Sequence, residues 1–130
     1  GVTYGWTYTA TSIEEVADVP VGYADGLPRN LANAGWFVVD GQRAPIRGRV
    51  CMDQTVVAVP HSVKVGDPVV VYGGDAAMSL EEVGSASGTN NYEVATRLTA
   101  RVPRLYFRSG VPCAWEHVLL GERGFCDAGE

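Results

Sequence analysis

The chain is cut into short pieces. Runs such as "WFVV", "QTVVAV" and "DPVVVY" are rich in β-branched residues, and each stops within a few positions at glycine, proline or aspartate. Sixteen glycines and seven prolines in 130 residues supply sharp bends along the whole length. β-Branched side chains suit a pleated, half-buried surface, and such punctuation limits each strand to a few residues. The pattern predicts a mostly β domain: a closed or nearly closed, Greek-key-like β-barrel with one or two short helices. Closure is expected because it removes the unpaired edges that many short strands would otherwise expose.

Individual elements follow from local signals. "ADVPVGYADG" offers a strand running into a loop around Asp25-Gly26. "WFVVDGQRAPIRGRVCM" reads as two strands about Asp40-Gly41, a strong hairpin signal. "PRLYF" and "CAWEHVLL" read as two later strands. Ser79 with Glu82 three residues on is a capping box, placing a short helix on "SLEEVGSA". "NYEVATRL" predicts a second helix with Asn90 in capping position. The chain is long enough for one domain with a real core. The expected division is a β-domain over 1–120 and a polar, glycine-rich tail over 121–130, partly disordered.

Composition excludes several functions. Net charge is −5, which disfavours a nucleic-acid footprint. Arg101, Arg104 and Arg108 form a local basic cluster to be explained separately. No apolar run approaches the length of a membrane span. The first residues lack the order of a secretory signal, and a cytoplasmic location is expected. Cys51, Cys113 and Cys126 show no C-x-x-C spacing, so reduced thiols are expected and no metal site. His61 and His117 lack spaced ligand partners. There is no G-x-S-x-G, H-E-x-x-H or phosphate-binding glycine loop. The single lysine, Lys64, falls in the turn "HSVKVGDPV".

Polar and aromatic residues cluster in four stretches. "GVTYGWTYTA" places Tyr4 and Tyr8 four apart around Gly5, Trp6 and Thr7. "VGYADGLPR" sets Tyr23 between two small residues at a strand-to-loop junction. In "RGRVCMDQT", strand alternation would put Arg47, Arg49 and Cys51 on one side and Val50 and Met52 on the other. Backbone N–H groups at the end of that strand could meet an anion, although taken alone the stretch is better explained by a core strand with a solvated arginine pair. "GTNNYEV" brings Tyr92 to a helix start, where either an anion contact or a capped helix with a buried tyrosine would fit.

Read together, "GVTYGWTYTA", "VPVGYADGLPR", "GQRAPIRGRVCMDQT", "GDPVVVYG", "GTNNYEVATRL" and "RVPRLYF" resemble the C-terminal domain of bacterial alanine racemases, in order and at similar spacing. The resemblance runs from Gly1 to about Phe107. It implies one domain of a two-domain isomerase that interconverts L- and D-alanine for peptidoglycan synthesis, with pyridoxal 5′-phosphate held on a lysine of an N-terminal barrel. Lys64 does not match that lysine, so this chain looks like the second domain alone. The resemblance also implies a head-to-tail homodimer in which each active site borrows residues from the partner. Tyr4 then matches the second acid–base catalyst. Met52 matches the residue whose backbone N–H binds the substrate carboxylate in the partner's site, and Tyr92 the tyrosine that bonds the cofactor phosphate. Tyr23, Arg29 and Arg49 match residues along the substrate entrance. The basic "RVPR" cluster is expected at domain and dimer contacts. Taken alone, this chain is expected to be inactive.

Two other readings share these residues. One is a domain of a serine or broad-specificity racemase, including a membrane-linked type. A large ring at Tyr92 favours a small substrate over it. The other is an interaction module that kept the fold without the chemistry, against which the joint retention of Tyr4, Met52 and Tyr92 argues.

Overall fold

The fold is taken from a computed structural model that describes residue 1 and residues 3–127, and of Tyr4 the backbone alone. Among the described residues eight strands and two helices alternate with short 3₁₀ turns. Strands β1 (Glu15–Val19) and β4 (Thr55–Val59) form one antiparallel pair. A second sheet has the order β3-β2-β5, from β2 (Trp36–Val39), β3 (Gln42–Pro45) and β5 (Val69–Val70). A third has the order β6-β7-β8, from β6 (Arg104–Arg108), β7 (Val111–His117) and β8 (Glu122–Phe125). The helices are α1 (Leu80–Ser87) and α2 (Asn91–Thr96). The domain is mostly β with two short helices, as the punctuation predicts.

One rung joins the first two sheets. Ile46 bridges Val57 and the Arg47 N–H donates to the Val56 carbonyl at 2.8 Å, giving a run β1-β4-β3-β2-β5. The closure expected of a barrel is not made among the described residues. Between β1 and the loop leading to β5 lies an apolar cavity of about 700 Å³, lined by Ala17, Val19, Val39, Val59 and Val63 among others.

The core is built by alternation and by burial on both faces. In β4, Thr55 and Val57 are fully enclosed while Val56 and Ala58 are not. In β2, Phe37, Val38 and Val39 are all buried, the pattern of a strand covered on both sides. Leu27 and Leu31 from the loops, and Val83 of α1 and Val94 of α2, complete the cluster. Buried Thr55 meets the need of its hydroxyl by donating to the Val21 carbonyl at 2.7 Å.

Asp40 and Gly41 both take positive φ, 51° and 70°, as the two central residues of a type I′ hairpin require. The capping box of α1 forms as predicted: the Glu82 N–H donates to Ser79 Oγ at 3.1 Å, and the Ser79 N–H to Glu82 Oε2 at 2.8 Å.

Two expectations need correction. The "RGRVCM" stretch is not a strand. Gly48 sits at φ 79°, which turns the chain and breaks the alternation that would align Arg47, Arg49 and Cys51. The polar stretch from residue 121 is not a loose tail throughout. Gly121 turns the chain and β8 pairs with β7 from His117↔Glu122 to Ala114↔Phe125. Residues 128–130, the end of the expected tail, lie outside the described residues.

Candidate functional site

The Tyr23–Asp25 turn is a hub between two other segments. On one side the Tyr23 N–H donates to the Cys51 carbonyl at 3.0 Å, and the Ala24 N–H to the Met52 carbonyl at 2.8 Å. Gly22 makes this approach possible. A Cβ there would lie 2.2 Å from the Cys51 oxygen and 2.5 Å from the Met52 carbonyl carbon. The Gly22 N–H is held by Asp25 Oδ2 at 2.9 Å, which closes the turn. The Met52 turn is itself fixed by the Cys51 N–H donating to the Gln54 carbonyl at 3.0 Å.

On its other side the same turn meets the segment that follows α2. The Thr99 N–H donates to the Asp25 carbonyl at 3.2 Å, and Thr99 Oγ1 to the Ala24 carbonyl at 2.8 Å. Gly26, at φ 112°, again leaves no room for a side chain, because a Cβ would lie 2.3 Å from the Arg97 oxygen. Backbone bonds therefore tie together three stretches far apart in sequence: those of Tyr23, of Met52 and of the helix that carries Tyr92.

All three residues face outward. Tyr23 is 43% exposed, Met52 55% and Tyr92 77%. Among the described residues neither the Tyr92 hydroxyl nor the Met52 N–H has a hydrogen-bond partner. Of the two readings left open for this stretch, a capped helix with a buried tyrosine fails in its burial, whereas the cap itself forms: Asn90 Oδ1 accepts from the Glu93 N–H at 3.0 Å. Glu93 is engaged by Thr89 and Arg97. Hydrogen bonds from Thr89, then the charge of Arg97, hold its carboxyl below the usual range.

Arg29 and Arg49 share one open cleft of about 470 Å³, with Thr7, Asn33 and Val50 also on its walls. The Arg29 guanidinium stands 5.8 Å from the Tyr23 ring centroid, within cation–π range. The Arg49 guanidinium closes over Gly5, its carbon 3.2 Å from where a Cβ on Gly5 would sit. Neither arginine is paired with a carboxylate among the described residues. Tyr4 opens the 3₁₀ turn Tyr4–Trp6, and its side chain lies outside the described residues.

Sequence reasoning missed the cluster that fastens this turn. Arg47, expected beside Arg49, instead grips Glu14 through Nη2 at 2.7 Å and Nε at 3.2 Å. Tyr8 donates its hydroxyl to Glu14 Oε2 at 2.8 Å, and the Arg47 guanidinium lies 4.7 Å from the Tyr8 ring centroid. The hydrogen bonds from Arg47 and then Tyr8 hold the Glu14 carboxyl below its usual value, and the bond to Glu14 raises the Tyr8 hydroxyl. Spacing offered no signal, since Arg47 and Glu14 are 33 residues apart.

The basic cluster also acts within the domain. Arg104 donates to the carbonyls of Leu98, Thr99 and Val102, and Arg101 lies 3.4 Å from Asp25. Lys64 lies on the wall of the large cavity beside β1, which none of the predicted site residues line. Among the described residues no cluster of three or more histidine, cysteine or acidic side chains could hold a metal ion. Among the described residues no helix is long and apolar enough to cross a membrane.

A family profile described as alanine racemase, C-terminal domain, matches residues 1–106. The chain is 49% identical over 107 residues to an alanine racemase of Desulforamulus reducens, covering 81% of this chain and 29% of that protein. It is 42% identical over 123 residues to an alanine racemase of Halalkalibacterium halodurans, covering 92% of this chain and 32% of that protein. In structure it is similar to the crystal structure of alanine racemase from Bacillus anthracis with bound L-Ala-P. The TM-score is 0.85 at 40% identity, covering 92% of this chain and 31% of that one. This chain thus spans 29% and 32% of the length of the two curated relatives.

Proposed function

This chain belongs to the alanine racemase C-terminal domain family, and we propose that it is the second domain of a pyridoxal 5′-phosphate-dependent alanine racemase. The whole protein interconverts L- and D-alanine in the cytoplasm and supplies D-alanine for peptidoglycan. It works as a head-to-tail homodimer, in which this domain completes the partner's active site. The observation that carries the reading is the backbone network that holds Met52 and Tyr23 in one exposed cluster with the helix of Tyr92. A site whose groups point outward from one domain is suited to completion by another.

Each residue then has a part. The Tyr4 phenol exchanges a proton with one face of the substrate Cα. A free tyrosine has a pKa of about 10, so its anion must be stabilised near neutral pH. The Met52 N–H, which has no partner among the described residues, binds the substrate carboxylate. The Arg29 and Arg49 charges draw that carboxylate along the entrance past Tyr23. The exposed Tyr92 hydroxyl, without a partner among the described residues, fits a cofactor phosphate as a neutral donor, and the Glu93 charge beside it is already compensated by Arg97. When bound, the cofactor supplies the electron sink for the negative charge left at Cα. The lysine that holds it lies outside this chain, since Lys64 is on the cavity beside β1. The run β1-β4-β3-β2-β5 is read as the frame of a nearly closed barrel.

The test is the loss of label from α-deuterated L- and D-alanine by the full-length protein and its Tyr4→Phe variant. General acid–base catalysis by one positioned group is worth about 10²–10⁴-fold. Tyr4→Phe is expected to slow abstraction from one enantiomer by at least that range, with the fold intact. Wild-type rates from both enantiomers would remove Tyr4 from the mechanism. The same assay with α-deuterated serine separates an alanine enzyme from a broad-specificity one, and loss of label from neither substrate by the wild type would point to an interaction module.

A further inference from the structure

We infer that Asn33 is a positioning residue that sets where the Tyr4 turn stands relative to Met52; the inference rests on the role proposed for Tyr4. Its carboxamide bridges two segments. Oδ1 accepts from the Gly48 N–H at 2.6 Å, and Nδ2 donates to the Thr7 carbonyl at 3.2 Å. The bridge requires one acceptor and one donor on a short stem, which asparagine carries and aspartate does not. Rotating the amide by half a turn would place like groups together at both ends. The backbone at Asn33 is left-handed, φ 55°, a conformation that asparagine adopts more readily than most residues.

The ties converge on the Tyr4 segment from three consecutive residues. Arg47 holds Glu14, which receives the Tyr8 hydroxyl. Gly48 is linked through Asn33 to Thr7. The Arg49 N–H donates to Thr3 Oγ1 at 2.8 Å. Positions 3, 7 and 8 bracket Tyr4, and the residues that hold them lead within three positions to Met52. Asn33 is the tie supplied by a separate element, the loop that follows Arg29. It therefore fixes the proton-transfer segment, the carboxylate-binding turn and an entrance arginine to one frame. Gly48 is buried and its N–H needs an acceptor. Once Oδ1 serves it, Nδ2 is aimed at Thr7.

The experiment uses the full-length protein with Asn33→Gly, which suits the left-handed backbone and removes both bonds, and Asn33→Asp, which keeps the bond to Gly48 and loses the one to Thr7. Small misplacements of a reacting group cost up to about 10²-fold in rate. Asn33→Gly is expected to lower label loss at least about tenfold from the enantiomer that Tyr4→Phe slows, and little from the other. Asn33→Asp is expected to show a smaller loss in the same direction. In the Tyr4→Phe background Asn33→Gly should add nothing, because it acts through Tyr4. Cofactor absorbance and melting temperature serve as controls for a general structural effect. Equal slowing of both enantiomers, additivity with Tyr4→Phe, or wild-type behaviour of Asn33→Asp overturns the inference. If Asn33→Gly does not fold, Asn33→Asp decides alone. If Tyr4→Phe slows neither enantiomer, the functional reading falls and this inference with it; if Tyr4→Phe acts as expected and Asn33→Gly does not, only the role of Asn33 falls.

Discussion

Gly22 shows how one missing side chain holds the site together. Its φ of −154° is extended and open to any residue, so the constraint is space alone. Gly22→Ala forces the Cys51 and Met52 carbonyls away from the Tyr23 turn. Overpacking of this kind costs about 1–3 kcal/mol, and a urea titration should show a lower midpoint with an unchanged slope. Glu14 is the other residue on which much depends. Its carboxyl is held below the value of 4.5 by Arg47 first and Tyr8 second. A lowered folded-state pKa gives stability that is complete above the unfolded value and is lost as pH falls through the folded one. Glu14→Gln should therefore melt below wild type at neutral pH. The gap should shrink as pH drops beneath 4.5, as thermal melts at a series of pH values will show. A gap that stays constant would mean that the charge of Glu14 contributes nothing.

Among the elements, α1 is the one whose start is written most plainly in the chain. Ser79 and Glu82 satisfy each other's N–H groups, and Gly88 ends the helix at φ 73°. Ser79→Ala should cost about 1 kcal/mol, read as a lower melting temperature and as faster amide exchange in the first turn of α1. The effect reaches the site because α1 packs on α2 and on the Arg29–Leu31 turn. Strand β8 is the opposite case. Its sequence, "ERGF", is polar and has no alternation that marks a buried face. It becomes a strand because β7 presents a free edge and the chain turns back at Gly121, and paired edges are favoured over open ones.

At the scale of the whole molecule the third sheet stands apart. Its strands pack mainly on one another, and the Leu119 N–H donates to the Ala100 carbonyl at 3.2 Å at its base. Leu105, Phe107, Trp115 and Phe125 are exposed, Phe125 at 90%. Apolar groups this open tend to be covered by association. The chain by itself should therefore show concentration-dependent association in sedimentation experiments. It should also release no label from α-deuterated alanine even with added cofactor, because its only lysine lies away from the Tyr23–Met52 cluster. Turnover by this chain alone would contradict the two-domain reading.

Residue pattern alone specifies a mostly β domain, and it also specifies the hairpin at Asp40-Gly41, both helices and their caps, which depend on residues within four positions of one another. Six ordered stretches also carried the family resemblance, from which Tyr4, Tyr23, Met52 and Tyr92 are proposed as site residues. Tertiary structure decided the rest. Gly48 ended a strand that alternation would have continued, since a positive φ there turns Arg47 toward Glu14. Arg104 met backbone carbonyls and Arg101 met Asp25 within the domain, contacts that no local pattern announces. Asn33 gained its two hydrogen-bond partners from Thr7 and Gly48, which lie 26 and 15 residues away. Local pattern fixes what a residue prefers to be, whereas side-chain bonds across long loops depend on where the packed core leaves two backbones facing each other.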